Sequence, residues 1–337
     1  MERIKRLGLS LLVIAGLVGC GGGGGSSSVE TPGSGTPGNG DSFFPSNAVL
    51  ADPTPENAQK VTDLIVADQA KINSDYINTL TLNSVSNKPK LNIVLLSSNI
   101  SKTLFELTKY IDIQSYSLNE TVSKTIDCLQ GGTMDYSMSG DEINGFNYTV
   151  AANNCVNNNV KIDGEYIATV KNRDTNTNLF KDYTIKFTTD FTVTDLSNNS
   201  MTKIFANSYM ATNVISFGSF GVFKDFKVTL SVKATNGTEN YGLENCILYY
   251  KNDTNSVEVY QTDGKIYIND LTSYVEYDTS YDMSQTPFVF SVDDGTLISG
   301  EARYKMANNG KLKIKVESNN EVKVYLDDGN GIFELIE

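Results

Sequence analysis

The stretch CLQGGTMDYSMSGDEINGFNYTVAANNCVNNNVKIDGEYIATV, residues 128–170, decides the fold. Two cysteines bracket a β-hairpin: one arm is Thr133–Ser139, the turn lies near Asn144-Gly145, and the return arm is Gly145–Ala152. Asn-Gly supplies the positive φ angles of a tight hairpin turn. A polar Asn-Asn-Asn turn then leads into a third strand, Val160–Val170. Pairing Cys128 with Cys155 would close the hairpin at its base, which the loop-entropy model values at about 3.5 kcal/mol. Cys246 is the other cysteine of the body and an alternative partner for either. The hairpin brings its own ends together, which favours Cys128–Cys155 and leaves Cys246 as a buried thiol on the strand-like run Asn245-Cys246-Ile247-Leu248.

Upstream, Arg3, Lys5 and Arg6 precede an apolar run, Leu7–Gly19, too short to cross about 30 Å of hydrocarbon. This is a targeting segment. Its ending, Leu17-Val18-Gly19-Cys20, resembles the lipobox of bacterial lipoproteins. The resemblance implies cleavage before Cys20 and acyl chains on that residue, so the implied partner is a lipid bilayer. More than one acyl chain makes such anchoring stable. Gly21, where the family uses Asp to mark inner-membrane retention, implies the outer membrane. Residues 20–48, rich in Gly, Ser and Thr-Pro-Gly, bury too little apolar surface to order themselves and read as a tether about 30 Å in typical span. Phe43 and Phe44 are placed to dock on the body and end it.

Lys and Arg number 27 against 40 acids, a balance that repels phosphate backbones and argues against a nucleic-acid partner. The chain has no His and no Trp. Without His there is no imidazole base, no Ser-His-Asp or Cys-His pair and no His-ligated zinc. No cofactor is expected.

Thr54-Pro55-Glu56-Asn57 reads as a helix start, with Thr as N-cap and Pro at the first helical position. Ala58, Val61, Ile65, Ile72 and Tyr76 follow at helical spacing, and Ile100, Leu104, Leu107 and Ile111 give a second helical pattern within 91–113. From Glu120 the period becomes two. Tyr183/Ile185/Phe187, Val228/Leu230/Val232, Leu312/Ile314/Val316 and Val322/Val324/Leu326 each alternate with polar residues. Asn236-Gly237, Asp263-Gly264, Asp294-Gly295, Asn309-Gly310 and Asp328-Gly329 read as turns between strands. This is antiparallel sheet with one buried and one wet face.

The arrangement Cys128, Gly131, Gly132, Asn154, Cys155, Asp163, Gly164 resembles a segment of uncharacterised exported proteins of Gram-negative bacteria, as does the Glu56-Asn57-Ala58 helix start. That resemblance implies no activity. Two weaker clusters invite a ligand. Asp327, Asp328 and Asn330 offer oxygens for calcium but lack EF-hand spacing, and the same residues are default turn formers. Tyr274, Tyr277 and Tyr281, interleaved with Glu276, Asp278 and Asp282, would suit a glycan surface, or equally a strand that buries its rings.

The sequence therefore predicts an α+β protein: two N-terminal helices packed on a long, twisted antiparallel β-meander that curls toward an incomplete barrel. Residues 1–19 are the signal peptide, 20–48 the tether, 49–115 the helical segment and 116–337 the β body. The expected role is that of a membrane-anchored envelope lipoprotein with a structural or interaction role and no catalytic residues. A carrier for an apolar ligand or glycan is the alternative, and a carboxylate-based glycan-active enzyme the second.

Overall fold

The computed structural model describes residues 43–66 and 121–336, apart from 142–144, 158, 177–179, 197–198, 218–222, 236–239, 254–255, 292–296 and 318–320. The expected signal peptide, Cys20 and the second helical pattern lie outside the described residues. The first helix, α1 (Pro55–Val66), follows the short strand β1 (Val49–Leu50). The Asn57 N–H donates to Thr54 Oγ1 at 3.3 Å, so Thr54 is the N-cap that the sequence predicts. Ala58, Val61 and Leu64 are buried, and the Thr62 hydroxyl satisfies itself on the Ala58 carbonyl at 2.9 Å.

The strands are β2 (Val122–Asp127), β3 (Thr133–Asp141), β4 (Gly145–Asn157), β5 (Val160–Arg173), β6 (Phe180–Phe187), β7 (Phe191–Asp195), β8 (Ser200–Ile204), β9 (Tyr209–Phe217) and β10 (Phe223–Thr235). They continue through β11 (Asn240–Asn252), β12 (Ser256–Ile268), β13 (Ser273–Tyr277), β14 (Phe288–Ser291), β15 (Leu297–Lys305), β16 (Lys311–Val316), β17 (Val322–Asp327) and β18 (Glu334–Leu335). All belong to one sheet, and from β2 onward every pairing is antiparallel. Three long strands are each broken once, so that β6–β7, β8–β9 and β13–β14 act as pairs of half-strands. Thus β5 pairs with β6 along one half and β7 along the other, and β12 does the same with β13 and β14.

The result is one long meander curled into a partial ring, with a small helical part. Alternation puts Met138, Tyr148, Ile185, Met210, Leu230 and Cys246 in one cross-strand row of buried residues on its inner face. α1 lies against both β12 and β17, so that arc of the sheet wraps around the helix. The inner face there sets Ile266, Ile268, Leu312, Ile314 and Val324 beside Tyr277 and Tyr304, whereas along β3–β7 it mixes Tyr, Met and Phe with Val150, Ile162, Val170 and Ile185.

Asp263-Gly264 is corrected: it is no turn but lies inside β12, at a register shift opposite Ile247. Gly264 has φ +120°, and a Cβ there would stand 2.5 Å from Cys246 Cα. The glycine makes a bulge that lets two backbones close on each other, the other use of Gly within a strand. Asn309-Gly310 and Asp328-Gly329 do fall between strands, while 236–237 and 294–295 are outside the described residues.

Candidate functional site

Around the hairpin base, the structure gathers every residue of the Cys-x-x-Gly-Gly … Asn-Cys … Asp-Gly arrangement. Cys128 and Cys155 form a disulfide with Cα atoms 5.4 Å apart. Cys155 follows a bulge between Ala152 and Cys155, where Asn154 takes φ 51° and donates its N–H to Asp163 Oδ1 at 3.0 Å. Gly132, at φ +76°, faces that bulge so closely that a Cβ would stand 2.0 Å from the Asn154 carbonyl oxygen. Gln130 N–H donates to Val156 O, and Val156 N–H returns a bond to Gly131 O at 2.8 Å. Each member of the motif has a structural task, and together they tie β2, β4 and β5 into one knot.

The Tyr-acid cluster is divided. Tyr274 points to the outer face, where it packs beside Tyr267 and under the Lys265 ammonium, 4.8 Å from the ring centroid. Tyr277 is buried on the inner face, donating its hydroxyl to the Tyr281 carbonyl at 2.7 Å. Tyr281 stands in the break between β13 and β14, with the Arg303 guanidinium 4.3 Å over its ring. The alternation of the strand separates the first two, and a chain excursion removes the third. The three rings make no common surface.

Two of their acids, Asp278 and Asp282, are occupied too. Asp282 accepts the Ser284 N–H at 2.9 Å. Asp278 is 2 % exposed, accepting from the Ser280 hydroxyl at 2.6 Å and pairing with Lys311 at 3.2 Å. Burial pushes its pKa up, but the Ser280 and Lys311 contacts outweigh burial and hold it below the ordinary value. A carboxylate depressed on folding stabilises the protein above its unfolded pKa and loses that contribution as pH falls through the lower folded value. Acid unfolding followed by circular dichroism should therefore begin at higher pH in Lys311→Met than in the parent chain.

Asp327, Asp328 and Asn330 act as turn residues. Asp327 Oδ1 accepts the N–H groups of Gly329 and Gly331, both at 2.9 Å; Asp328 takes that of Asn330, and Asn330 that of Ile332. These oxygens point into the turn, and among the described residues no group of three or more acids or cysteines is arranged to hold a metal ion.

Cys246 is fully buried, and its thiol donates to the Lys265 carbonyl at 3.3 Å. Burial, with Asp263 and Glu244 beside it, pushes the thiol pKa far up, away from thiolate reactivity. Nearby, Tyr304 donates its hydroxyl to Gln261 Oε1 at 2.8 Å, and Gln261 donates to the Asp263 carbonyl at 3.0 Å. This polar chain fills the inside of the bulge at Gly264.

Sequence reasoning missed the phenols of the inner face. One cross-strand row runs Lys124, Tyr136, Val150, Tyr166, Phe187 across β2–β6. Lys124 shares the inner face with the apolar residues at the edge of the sheet, a placement that discourages pairing with another chain. Tyr166 is 2 % exposed, and its hydroxyl has no hydrogen-bond partner among the described residues. Its pKa is driven up by burial and then by Tyr136; burial alone pushes Tyr148 up to about 12. The period-two pattern places these rings inward, but it cannot say that a hydroxyl will lack an acceptor. Tyr166→Phe, which removes that hydroxyl and keeps the ring, should raise unfolding stability by about 1 kcal/mol in a urea titration.

Fold and geometry define a class: a curled, single-sheet antiparallel β protein with a disulfide knot at the hairpin base and, among the described residues, one helix held inside the curve. Comparison with protein-family models, with curated proteins and with solved structures finds no match to the chain.

Proposed function

We propose that the chain is an exported lipoprotein, anchored to the outer membrane through acylated Cys20, whose β body has a structural or interaction role in the cell envelope. The observation that carries this reading is the Cys128–Cys155 disulfide at the base of the hairpin, a bond that persists where thiols oxidise. The apolar run ending in Leu17-Val18-Gly19-Cys20 supplies the anchor. The end of the tether also has a seat on the body. Phe44 is 3 % exposed, stacked on Tyr267 at 4.5 Å between centroids, over the surface left open by Gly242.

Mass spectrometry of protein extracted from its native membrane without reduction tests this reading. The expected result is a diacylglycerol mass on Cys20, residues 1–19 absent and Cys128 linked to Cys155. A cytosolic chain with reduced cysteines and an unmodified Cys20 would overturn it.

A second reading, a carrier for an apolar ligand, is favoured by the inner face of β3–β7, where Tyr and Met side chains offer an adaptable apolar wall. Co-purification of a lipid with the body would support it, and an empty mass spectrum would count against it. The glycan-binding reading no longer has a shared Tyr274–Tyr277–Tyr281 surface to stand on.

A further inference from the structure

One end of the sheet collects the turns β2–β3, β4–β5, β7–β8, β12–β13 and β15–β16, together with the exit of β17. The registers show it: Asp127 pairs with Thr133, Asn157 with Val160, Asp195 with both Val160 and Ser200, Ile268 with Ser273, and Lys311 with both Lys305 and Asp327. The chain enters at this rim, since Val49 of β1 pairs with Ser273 immediately after the β12–β13 turn.

Five large apolar side chains stand exposed on the rim. Leu129 is 73 % exposed, Val49 and Ile332 63 %, Leu196 44 % and Met201 37 %. Leu129 and Leu196 come from distant parts of the chain and are brought together through Asn159, whose N–H donates to Gln130 Oε1 and whose carbonyl accepts the Leu196 N–H. At the opposite end, only Ile215 and Ile298 among the described residues are comparably exposed. Exposed apolar side chains concentrated on one surface mark an interaction site.

We propose that this rim faces the membrane that holds the anchor, with Leu129, Leu196, Met201, Val49 and Ile332 entering the interfacial layer of the bilayer. The proposal rests on the lipoprotein reading above. Two observations favour a lipid surface as the occupant. First, the chain between Cys20 and the docked Phe43 begins at the rim, and a Gly/Ser-rich chain of its length spans about 26 Å on average. Strands of 13 and 14 residues such as β4 and β5 run about 45 Å. On average, therefore, the anchor places the rim nearer the bilayer than the far end. Second, exposed Leu, Ile, Val and Met side chains at the rim gain by entering acyl chains, and this gain adds to that of the anchor. The rim carries both signs, Asp127, Asp270 and Asp328 against Lys161, Lys305 and Lys311, which suits zwitterionic headgroups, while the chain's net charge of -13 is repelled by anionic ones.

The chain lacks Trp, so a single introduced Trp reports its own surroundings. Acylated full-length Leu129→Trp, Leu196→Trp and, as the far-end control, Ile298→Trp are reconstituted in phosphatidylcholine vesicles with and without brominated acyl chains. All three positions are exposed, so the substitutions leave the core intact. Expected are blue-shifted emission and about twofold quenching for the two rim variants, with Ile298→Trp unchanged. Phosphatidylglycerol in the vesicles should weaken the quenching, and salt should restore it. Rim tryptophans that stay unquenched on a chain shown by mass to carry acyl groups would overturn the rim assignment and leave the anchor standing. Equal quenching of all three would do the same, whereas an unacylated Cys20 removes the anchor and the proposal with it.

Discussion

Cys155→Ser is expected to unfold at a free energy about 3.5 kcal/mol below the parent chain, because the bond closes a loop whose ends are 27 residues apart. Most of that loss comes from the unfolded chain, which regains the freedom the cross-link denied it. Part comes from the knot itself. Cys155 is fully buried beside the bulge at Asn154, and Gly132 and Asp163 are both positioned against Asn154. Cys128→Ser and the double variant should match Cys155→Ser within about 0.5 kcal/mol, since all three remove one bond. Urea titrations with and without reductant give the numbers, and reduced parent protein should join the variants. A wide spread among them would mean that one sulfur has a second partner. Cys246 offers none in the folded state: it is buried with its thiol kept protonated, so it should react with a thiol reagent only on unfolding.

Gly132→Ala strains the same knot from the other side. It places a Cβ against the Asn154 carbonyl at a left-handed backbone angle, so its cost should shrink once the disulfide is gone.

Phe44→Ala is expected to cost about 3 kcal/mol, the lower part of the range for emptying a buried Phe site. The ring is nearly fully covered by Tyr267, Leu271, Phe43 and the bare backbone of Gly242. Gly242→Ala should produce a similar loss by a different route, because its Cβ would meet the Phe44 ring at 2.4 Å. The seat is shaped by an unusual turn in which Asn269, Asp270 and Leu271 all have positive φ. Leu271 keeps that conformation with its side chain buried against Phe44, and Asn269 donates to Asn57 Oδ1 and Ser273 Oγ while accepting from Lys60. Undocking of residues 43–50 can proceed without unfolding the sheet, so the loss should appear first as protease cleavage before Ala51 and as faster amide exchange at Val49 and Ala51. A Phe44→Ala chain that resists protease as the parent does would show that β1 and Pro53 hold the segment without the ring.

Several of these features are legible in the residues alone, and the distinction has a physical basis. Alternation is a property of neighbours along the chain, so Ile185, Leu230, Ile314 and Val324 announce the inner face without any knowledge of what lies opposite. A hairpin joins its own ends, which makes Cys128–Cys155 the favoured pairing from the residues alone. Thr54-Pro55 marks a helix start through one local hydrogen bond.

Other features depend on how far the sheet bends. Asp263-Gly264 and Asp163-Gly164 have turn chemistry, yet both sit inside strands, because the backbones of Cys246 and of Asp190–Phe191 cross close against their glycines. Tyr274, Tyr277 and Tyr281 are near in sequence and distant in role, divided by one step of pleat and one chain excursion. The row that holds Tyr166, whose hydroxyl has no partner among the described residues, the seat of Phe44 on Gly242 and the rim that unites Leu129 with Leu196 each require residues tens to hundreds of positions apart to meet. Local preference sets which way each side chain points; only the curl of the completed sheet decides what it finds there.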